Sequence, residues 1–223
     1  MITGDSRLAR YPEAMNPGAA ADATRAKLLV AAAEEIVARG YTAASLSRTA
    51  ERIGLTKGAF SRHFPTKDDL VEAIIAEAVR RGPGILRAAQ DAFPASSIRA
   101  CIFAIGGISA AWRTDPVFAA AVLLAQDPAI DARRVVPLRR MVADVLRAPL
   151  TAAVREEGCP LVCPVEEAVQ FLVVLLTGFL SSARFTEDFG PQRELLFVQA
   201  ALTGIGIPDS GEVVADVIRR LGA

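Results

Sequence analysis

The sequence predicts an all-α protein with an N-terminal three-helix helix-turn-helix domain and a C-terminal helical domain. Three observations support this fold class. Apolar residues make up 52% of the 223 residues and aromatic residues only 6%, and the abundant alanine and leucine favour helices. Apolar side chains recur at helical spacing, and no segment alternates with the period of two that marks a half-buried strand. Glycine and proline separate the helical stretches at short intervals.

The predicted organisation has three parts. A leader that we expect to be disordered covers 1–21, the helix-turn-helix domain covers 22–81, and the second helical domain covers 82–223. The leader has no apolar segment of the kind that a secretory signal requires. The longest apolar run, Phe171–Leu180, is too short to cross a bilayer. We therefore expect a cytoplasmic protein that does not enter a membrane.

The first helix is predicted to begin near Asp22–Thr24 and to end at Gly40, a common residue just after a helix. Ser45 is a good N-cap for a second helix at Leu46–Ile53. Thr56 can cap a third at Lys57–His63. Two short helices joined by a glycine-containing turn form a helix-turn-helix.

The later helices follow from the same start and stop signals. Phe64-Pro65 ends the third helix because a residue before proline avoids the α region. Thr66 and Asp69 have the spacing of a capping box for a fourth helix, which reaches toward Arg81. After the interruption at Gly82-Pro83-Gly84, helix resumes through Ala92. Further helices are expected at about Ser97–Thr114, Asp115–Ala125, Pro137–Glu157, Val165–Thr186, Pro191–Thr203 and Glu212–Leu221.

The charges exclude a chain that binds nucleic acid over its whole surface, because 25 basic residues balance 25 acidic ones. The balance is broken in Thr42–Lys67, where five cations face one acid, Glu51. Hydroxyl side chains between these cations can donate to phosphate oxygens. The candidate DNA-contacting residues are Thr42, Ser45, Arg48, Thr56, Lys57, Gly58, Ser61, Arg62, His63 and Lys67.

Three of these candidates have alternative interpretations. Arg62 either reads guanine through O6 and N7 or contacts phosphate. Lys67 opposes the dipole of the helix that it starts, so it either shares an anion site with the free N–H groups there or is simply solvated. His63 either packs beside Phe64 or contacts phosphate, and one position allows both.

Catalytic and metal-binding chemistry find no support. Cys101, Cys159 and Cys163 are odd in number and match no common zinc or redox spacing, and His63 is the one histidine. No nucleophile is accompanied by a base. We expect three reduced thiols, no metal, no cofactor and no enzymatic activity. An enzyme that uses the second domain to bind its substrate stays as an alternative class.

The segment Ala26–Leu70 resembles the N-terminal domain of TetR-family repressors. The resemblance rests on the runs LLVAAAEEIVARGY and SLSRTAERIGLTKGAF, and on the signature F-x-x-H-F-x-x-K-x-x-L at Phe60, His63, Phe64, Lys67 and Leu70. It implies a homodimer that binds palindromic operator DNA through a three-helix head, with a C-terminal domain for ligand binding and dimerisation. This chain departs from the family at Ser61, where a tyrosine that touches phosphate is common.

The helix at Val165–Thr186 contains FLVVLLTGFL, which is apolar all round. Such a helix is buried on every side. The resemblance suggests a second subunit as its partner, in a four-helix interface with the helix after Pro191. The alternative is an ordinary core helix of a monomer.

Large apolar and a few polar residues of the second domain form a candidate ligand pocket, with Gly106 and Gly107 leaving room. The predicted ligand-binding residues are Phe103, Trp112, Phe118, Leu123, Met141, Gln170, Phe171, Val174 and Thr177, and Gln126 is a further polar candidate.

Two C-terminal segments, RTDPVFAAAVLLAQD and TGFLSSARFTEDFGPQRELLFVQAALTGIGIP, resemble the γ-butyrolactone-receptor branch of the family. The implied function is a repressor released by a small apolar effector, with a γ-butyrolactone-like signal for secondary metabolism as one candidate. Leu138 and Met141 stand where that branch has an aromatic stretch with tryptophan, so a furan, a butenolide or an antibiotic is also open. The alternatives are a drug-sensing repressor of an efflux gene, a ligand-independent pseudo-receptor, and a dimerisation module that has lost DNA binding.

Overall fold

The computed structural model describes residues 17–182 and 191–221, which contain helices and no strand, as predicted. The helices are α1 (Pro17–Arg39), α2 (Leu46–Arg52), α3 (Lys57–His63), α4 (Lys67–Val79), α5 (Gly82–Ala92), α6 (Ser97–Thr114), α7 (Pro116–Leu124), α8 (Ala132–Glu156), α9 (Val165–Ser182), α10 (Pro191–Gly204) and α11 (Ser210–Leu221).

The first helix begins earlier than predicted. Helix α1 includes 17–21, which the sequence predicts to be part of the leader. A proline suits the first helical position because its missing N–H would be unpaired there anyway. Three alanines, Ala19, Ala20 and Ala21, then extend the helix, since alanine has the highest helix propensity. The remainder of the predicted leader lies outside the described residues.

The predicted caps of the helix-turn-helix are present. Ser45 Oγ accepts from Arg48 N at 3.4 Å and Thr56 Oγ1 accepts from Ala59 N at 3.1 Å. Gly54, in the turn between α2 and α3, has a φ of +73°, which disfavours other residues. Local chemistry therefore determines where each short helix starts.

The fourth helix begins with the predicted capping box. Thr66 Oγ1 accepts from Asp69 N at 3.1 Å, and Thr66 N donates back to Asp69 Oδ2 at 2.9 Å. The two bonds satisfy donors that a helix start otherwise leaves free. They hold α4 at a fixed point directly after α3.

The predicted start of α8 at Pro137 is wrong, because the helix begins at Ala132. Asp131 caps it by accepting from Arg133 N at 2.9 Å. Pro137 lies inside the helix and costs one backbone hydrogen bond, but Val135 and Leu138 on either side of it are buried. Burial of this apolar stripe outweighs the lost bond.

Helix α7 is the one that is buried on every side, since all residues from Val117 to Leu124 are buried. It packs against α1 and α4 of the head and against α6 and α8 of the second domain. Helix α8 also contacts α4 and α9. The two domains therefore share a packed boundary, with α4 at its centre.

The prediction that the apolar α9 is buried all round is wrong within one chain. Phe171 is 45% exposed and Val174 62% exposed, and on α10 Leu196 is 65% and Phe197 43% exposed. By length and mean hydropathy, 1.5 over 18 residues, α9 passes as a membrane span, as a core helix can, and 39% of that window is buried. The predicted end of this helix at Thr186 lies outside the described residues.

Candidate DNA-binding surface and effector cavity

Helix α3 has one buried face and one exposed face. Phe60 and Phe64, both 1% exposed, pack with ring centroids 5.5 Å apart. Lys57, Ser61 and Arg62 are exposed. The two phenylalanines therefore fix the helix to the head, and the polar residues between them point to solvent.

Gly58 leaves one position on the exposed face of α3 without a side chain. A Cβ placed there would meet only Thr56 Oγ1, at 3.8 Å. Nothing inside the described protein requires the glycine, since the neighbouring space is open. A residue without a side chain permits another backbone to approach α3 closely, as a DNA strand does at a recognition helix.

The cations of the head divide into structural and free ones. Arg52 donates to Ala31 O and to Glu34 Oε2, each at 2.9 Å, and so holds α2 to α1. Arg48 Nε lies 3.9 Å from Oε1 of Glu35, a buried carboxylate of α1. In the described part of the chain no ion pair joins Lys57 or Arg62 to an acid. These two cations on α3 are available to phosphate or base edges.

Lys67 is engaged inside the head. Its Nζ donates to Tyr41 O at 3.4 Å and lies 5.1 Å from the centre of the Tyr41 ring. Burial, followed by the charge of Asp68, raises the pKa of the Tyr41 phenol. The interpretation of Lys67 as a freely solvated cation is therefore wrong, and a phosphate contact from this position stays a prediction.

The other DNA candidates surround α3. Thr42 is exposed and His63 is half-buried, directly before the buried Phe64. The hydroxyl oxygens of Ser45 and Thr56 accept helix-capping bonds, which leaves their O–H groups to donate. The ten candidates thus belong to α2, α3, the preceding turns and the start of α4.

A cavity of about 250 Å³ opens between α6, α7, α8 and α9. Its lining is mostly apolar and is contributed by Ile108, Phe118, Val122, Ala125, Gln126, Leu138, Arg139, Val142, Val173, Val174, Leu176, Thr177 and Leu180. We call this the effector cavity. Helices α7 and α8, which form two of its walls, are also the helices that pack on α4.

Phe118, Val174 and Thr177 are the predicted ligand-binding residues that line the effector cavity, together with Gln126. The other six do not line it. Phe103 faces α5 instead, with its ring centroid 5.9 Å from that of Phe93. Those outside the cavity are Phe103, Trp112, Leu123, Met141, Gln170 and Phe171.

Each of these six has a different position in the fold. Met141 packs under α5, where a Cβ on Gly82 would lie 2.5 Å from Met141 Cγ. Leu123 is buried, Trp112 is partly buried against the core and Phe171 is exposed. Gln170 lines a separate groove beside the cavity.

Sequence reasoning missed most of the cavity walls. Leu138 and Val142 lie one helical turn apart, which places them on one face of α8. The missed residues are Ile108, Val122, Ala125, Leu138, Arg139, Val142, Val173, Leu176 and Leu180.

Gln126 is a polar residue of the cavity lining whose amide oxygen has a hydrogen-bond partner. Ser181 Oγ lies 2.5 Å from Gln126 Oε1. The amide Nε2 is buried without a hydrogen-bond partner among the described residues. A buried unpaired donor costs on the order of 1–3 kcal/mol, so an acceptor atom of a bound molecule beside Gln126 would be stabilised.

Metal chemistry has no site in the described ranges, where no group of three or more His, Cys, Asp or Glu side chains comes together. The three cysteines are free. Burial raises the pKa of the Cys101 thiol to about 12, and burial also raises the pKa of Cys159.

Comparison with known proteins agrees with this architecture. Residues 28–74 match the family of bacterial regulatory proteins described as the tetR family. The HTH-type transcriptional activator FasR of Mycolicibacterium smegmatis is 41% identical over 54 residues, which are 24% of this chain and 25% of FasR. That match spans about a quarter of the curated relative and is confined to a short segment.

Solved structures match most of the chain. A γ-butyrolactone receptor described as ArpA-like is 25% identical with a TM-score of 0.73, over 90% of this chain and 98% of the receptor. CprB of Streptomyces coelicolor, solved with its operator sequence, is 25% identical with a TM-score of 0.72, over 89% of this chain and 96% of CprB. The tetR match of residues 28–74 and these neighbours show that the chain has the fold of TetR-family transcriptional regulators.

Proposed function

We propose that the protein is a homodimeric repressor that binds a palindromic operator in the cytoplasm and is released by a small effector. The observation that carries the proposal is the shared boundary of the two domains. Helices α7 and α8 line the effector cavity on one side and pack on α4 of the DNA-binding head on the other.

Operator binding is supported by the unpaired cations and the open backbone of α3. Lys57 and Arg62 are exposed, and Gly58 lies between them. A recognition helix places such residues in the major groove, and a two-fold dimer then fits two half-sites one helical turn apart. CprB, the structural relative solved with its operator, supports the same use of this fold.

Dimerisation is supported by the exposed apolar faces of α9 and α10. Phe171, Val174, Leu196 and Phe197 are each more than two-fifths exposed. A large exposed apolar patch marks an interaction surface. A second copy that brings the same two helices would bury this patch in a four-helix interface, which a two-fold axis makes self-complementary.

Effector release follows if the effector binds more tightly to a conformation in which the two heads no longer fit the operator. The effector cavity is apolar apart from Gln126, Arg139 and Thr177. Such a lining suits a small, mostly apolar molecule with one or two acceptor atoms. A γ-butyrolactone-like signal is the first class to test, because γ-butyrolactone receptors share the fold.

The test is fluorescence anisotropy with purified protein and a palindromic fragment from upstream of its own gene, beside a scrambled fragment of equal length. We expect clear preference for the palindrome, and affinity that falls steeply as salt rises. Equal affinity for both fragments at physiological salt rejects the repressor function.

Size-exclusion chromatography with light scattering then compares the native protein with Val174→Glu, which should be a monomer.

A thermal-shift screen with γ-butyrolactones, furans and antibiotics tests the effector class. A compound that raises the melting temperature and also dissociates the palindrome is an effector. If antibiotics are effectors in this screen and no lactone or furan is, the result would favour the drug-sensing repressor instead.

A further inference from the structure

A second groove lies beside the effector cavity, between α8 and α9. It has a volume of about 340 Å³ and three of its lining residues are arginines. We call it the arginine groove; its lining is Val136, Arg139, Arg140, Ala143, Arg147, Gln170 and Val173.

The spacing along α8 explains why these arginines share one groove. Arg140, Ala143 and Arg147 follow one another at intervals of three and four residues, the spacing that places side chains on one helix face. Arg139 has the same relationship to Ala143. The small side chain of Ala143 leaves room between the guanidinium groups.

The acids nearby neutralise one of the three arginines. Arg147 Nε donates to both oxygens of Glu166, at 2.9 and 3.1 Å, and Arg147 also pairs with Asp144. No acid in the described residues forms an ion pair with Arg139 or Arg140. The groove therefore keeps an excess of positive charge.

The groove and the effector cavity are adjacent. Arg139 and Val173 line both of them. Arg139 therefore offers an unpaired guanidinium group to a molecule whose apolar part fills the cavity. Guanidinium groups bind carboxylate and phosphate oxygens through charge-assisted, often paired, hydrogen bonds.

The dimensions point the same way. The effector cavity, at about 250 Å³, is small for a ligand site. The adjoining arginine groove adds a volume of about 340 Å³ whose lining combines three arginines and a glutamine with apolar residues.

We propose that the natural effector is an anionic amphiphile: a short apolar body occupies the effector cavity, and an anionic oxygen headgroup binds Arg139 and Arg140 in the arginine groove. Gln170 contributes a neutral donor at the same place. This inference rests on the proposed function, because it specifies the chemical class of the effector. It distinguishes the chain from a receptor for an uncharged lactone.

The probes are octanoate and 1-octanol, which share a short apolar chain and differ in charge. Isothermal titration calorimetry at pH 7.5 measures both, since a carboxylate is ionised there. We expect octanoate to bind about tenfold more tightly or better, as hydrogen bonds to charged groups predict. Equal affinities for the two probes would overturn the proposal.

Variants locate the anion. Arg139→Gln with Arg140→Gln should lower octanoate affinity about tenfold or more and leave 1-octanol unchanged. Lysine at both positions keeps the charge and should retain most of the octanoate affinity. The matched control is Arg155→Gln, an exposed arginine of the same helix outside the groove. An equal loss in Arg155→Gln would show a general charge effect and reject the site.

Two measurements separate this inference from the proposed function. Operator binding by the native protein without any ligand tests the repressor alone. If operator binding fails while octanoate still binds more tightly than 1-octanol, the anion site stands and the repressor function falls. If operator binding holds and the charge preference is absent, the anion site falls.

Discussion

Arg81 Nε donates to Asp115 Oδ2 at 2.8 Å and so joins the residue before α5 to the N-cap of α7. The other carboxylate oxygen of Asp115 accepts from Val117 N at 2.8 Å and from Phe118 N at 3.2 Å. Phe118 lines the effector cavity. One carboxylate therefore starts a cavity helix and holds it to the segment that follows α4.

Substitution of Asp115 separates these two roles. Asparagine caps helices about as well as aspartate, so Asp115→Asn should lose mainly the pair with Arg81, worth up to about 1 kcal/mol. Asp115→Ala also loses the cap and should cost about 1–2 kcal/mol more of unfolding free energy. Urea denaturation measures both variants.

The matched control is Thr114→Ala, because Thr114 is the exposed neighbour and its hydroxyl bonds only within α6, to Ala110 O. It should change stability little. In a double-mutant cycle, the losses from Arg81→Met and Asp115→Asn should be less than additive, since both remove the same pair, while Arg81→Met alone also removes the pair of Arg81 with Glu77. Fully additive losses would mean that the pair contributes nothing to stability.

Arg62 and Lys57 are expected to act differently on DNA. If Arg62 reads bases, Arg62→Ala should reduce the preference for the palindrome. Its binding free energy for the palindrome should become weaker by about 1–3 kcal/mol. Lys57→Ala should weaken binding to palindromic and to scrambled DNA by the same factor. It should also lower the slope of log affinity against log salt by about one, as expected for the loss of one phosphate contact. Anisotropy titrations at several salt concentrations give both quantities. If Arg62→Ala weakens binding to both DNA fragments equally, Arg62 contacts phosphate and does not read bases.

Asp69 should make the start of α4 sensitive to acid. Hydrogen bonds from the Thr66 hydroxyl and from Thr66 N lower the pKa of the Asp69 carboxyl. Because the folded pKa lies below the unfolded one, the stabilisation is present above the unfolded pKa, about 3.9, and is lost as pH falls through the folded pKa. The capping box is therefore fully formed at neutral pH.

Thermal denaturation of the native protein and of Asp69→Asn across pH 2–7 tests this. The native protein should melt higher at neutral pH, and the difference should shrink as the pH falls below about 4. Asp91→Asn is a suitable control, because Asp91 is exposed on α5 and forms no capping bond or ion pair among the described residues. A melting difference for Asp69→Asn that is independent of pH would contradict an ionised cap.

The DNA-binding head could be predicted from sequence because local chemistry determines it. Ser45, Thr56 and Thr66 each cap the helix that follows, and the spacing of Phe60 and Phe64 identifies the buried side of α3. Caps and short periodicities operate over a few residues. They do not depend on how distant helices cross.

The effector cavity depends on such crossings, which is why the sequence located only part of it. Phe103 and Ile108 are both apolar residues of α6, yet the first meets Phe93 at the C-cap of α5 and the second lines the cavity. Periodicity separates buried from exposed faces but does not say which neighbour covers each buried face. Arg139 was missed for a related reason, since an exposed charged residue on an amphipathic helix does not indicate that a cavity opens beside it.

The wrong prediction that α9, and not α7, is buried on every side has the same origin. Both are strongly apolar, and composition made the longer one, α9, the expected buried helix. The shorter α7 is enclosed by α1, α4, α6 and α8, whereas α9 has the core on one side only. How much of a helix is buried within a chain depends on how many neighbours the topology supplies.

Alkylation of the cysteines tests the packing between α6 and α8. Cys101 is 0% exposed and its Sγ lies 3.8 Å from Leu146 O of α8. Alkylation requires the thiolate, and burial raises the pKa of this thiol to about 12. In native protein at pH 8, iodoacetamide should label Cys159 and Cys163, which are partly exposed, and leave Cys101 unlabelled.

Peptide mass spectrometry gives the extent of labelling at each position, and urea supplies the positive control because unfolding should expose Cys101 at once. Raising the pH to about 9 should speed the labelling of Cys159, whose pKa is raised by burial and then by the charge of Glu157. Cys101 should stay protected there, since both its pKa and its enclosure oppose reaction. Native labelling of Cys101 at the rate of the other two would mean that α6 and α8 separate readily, and the wall that they give the effector cavity would then be transient.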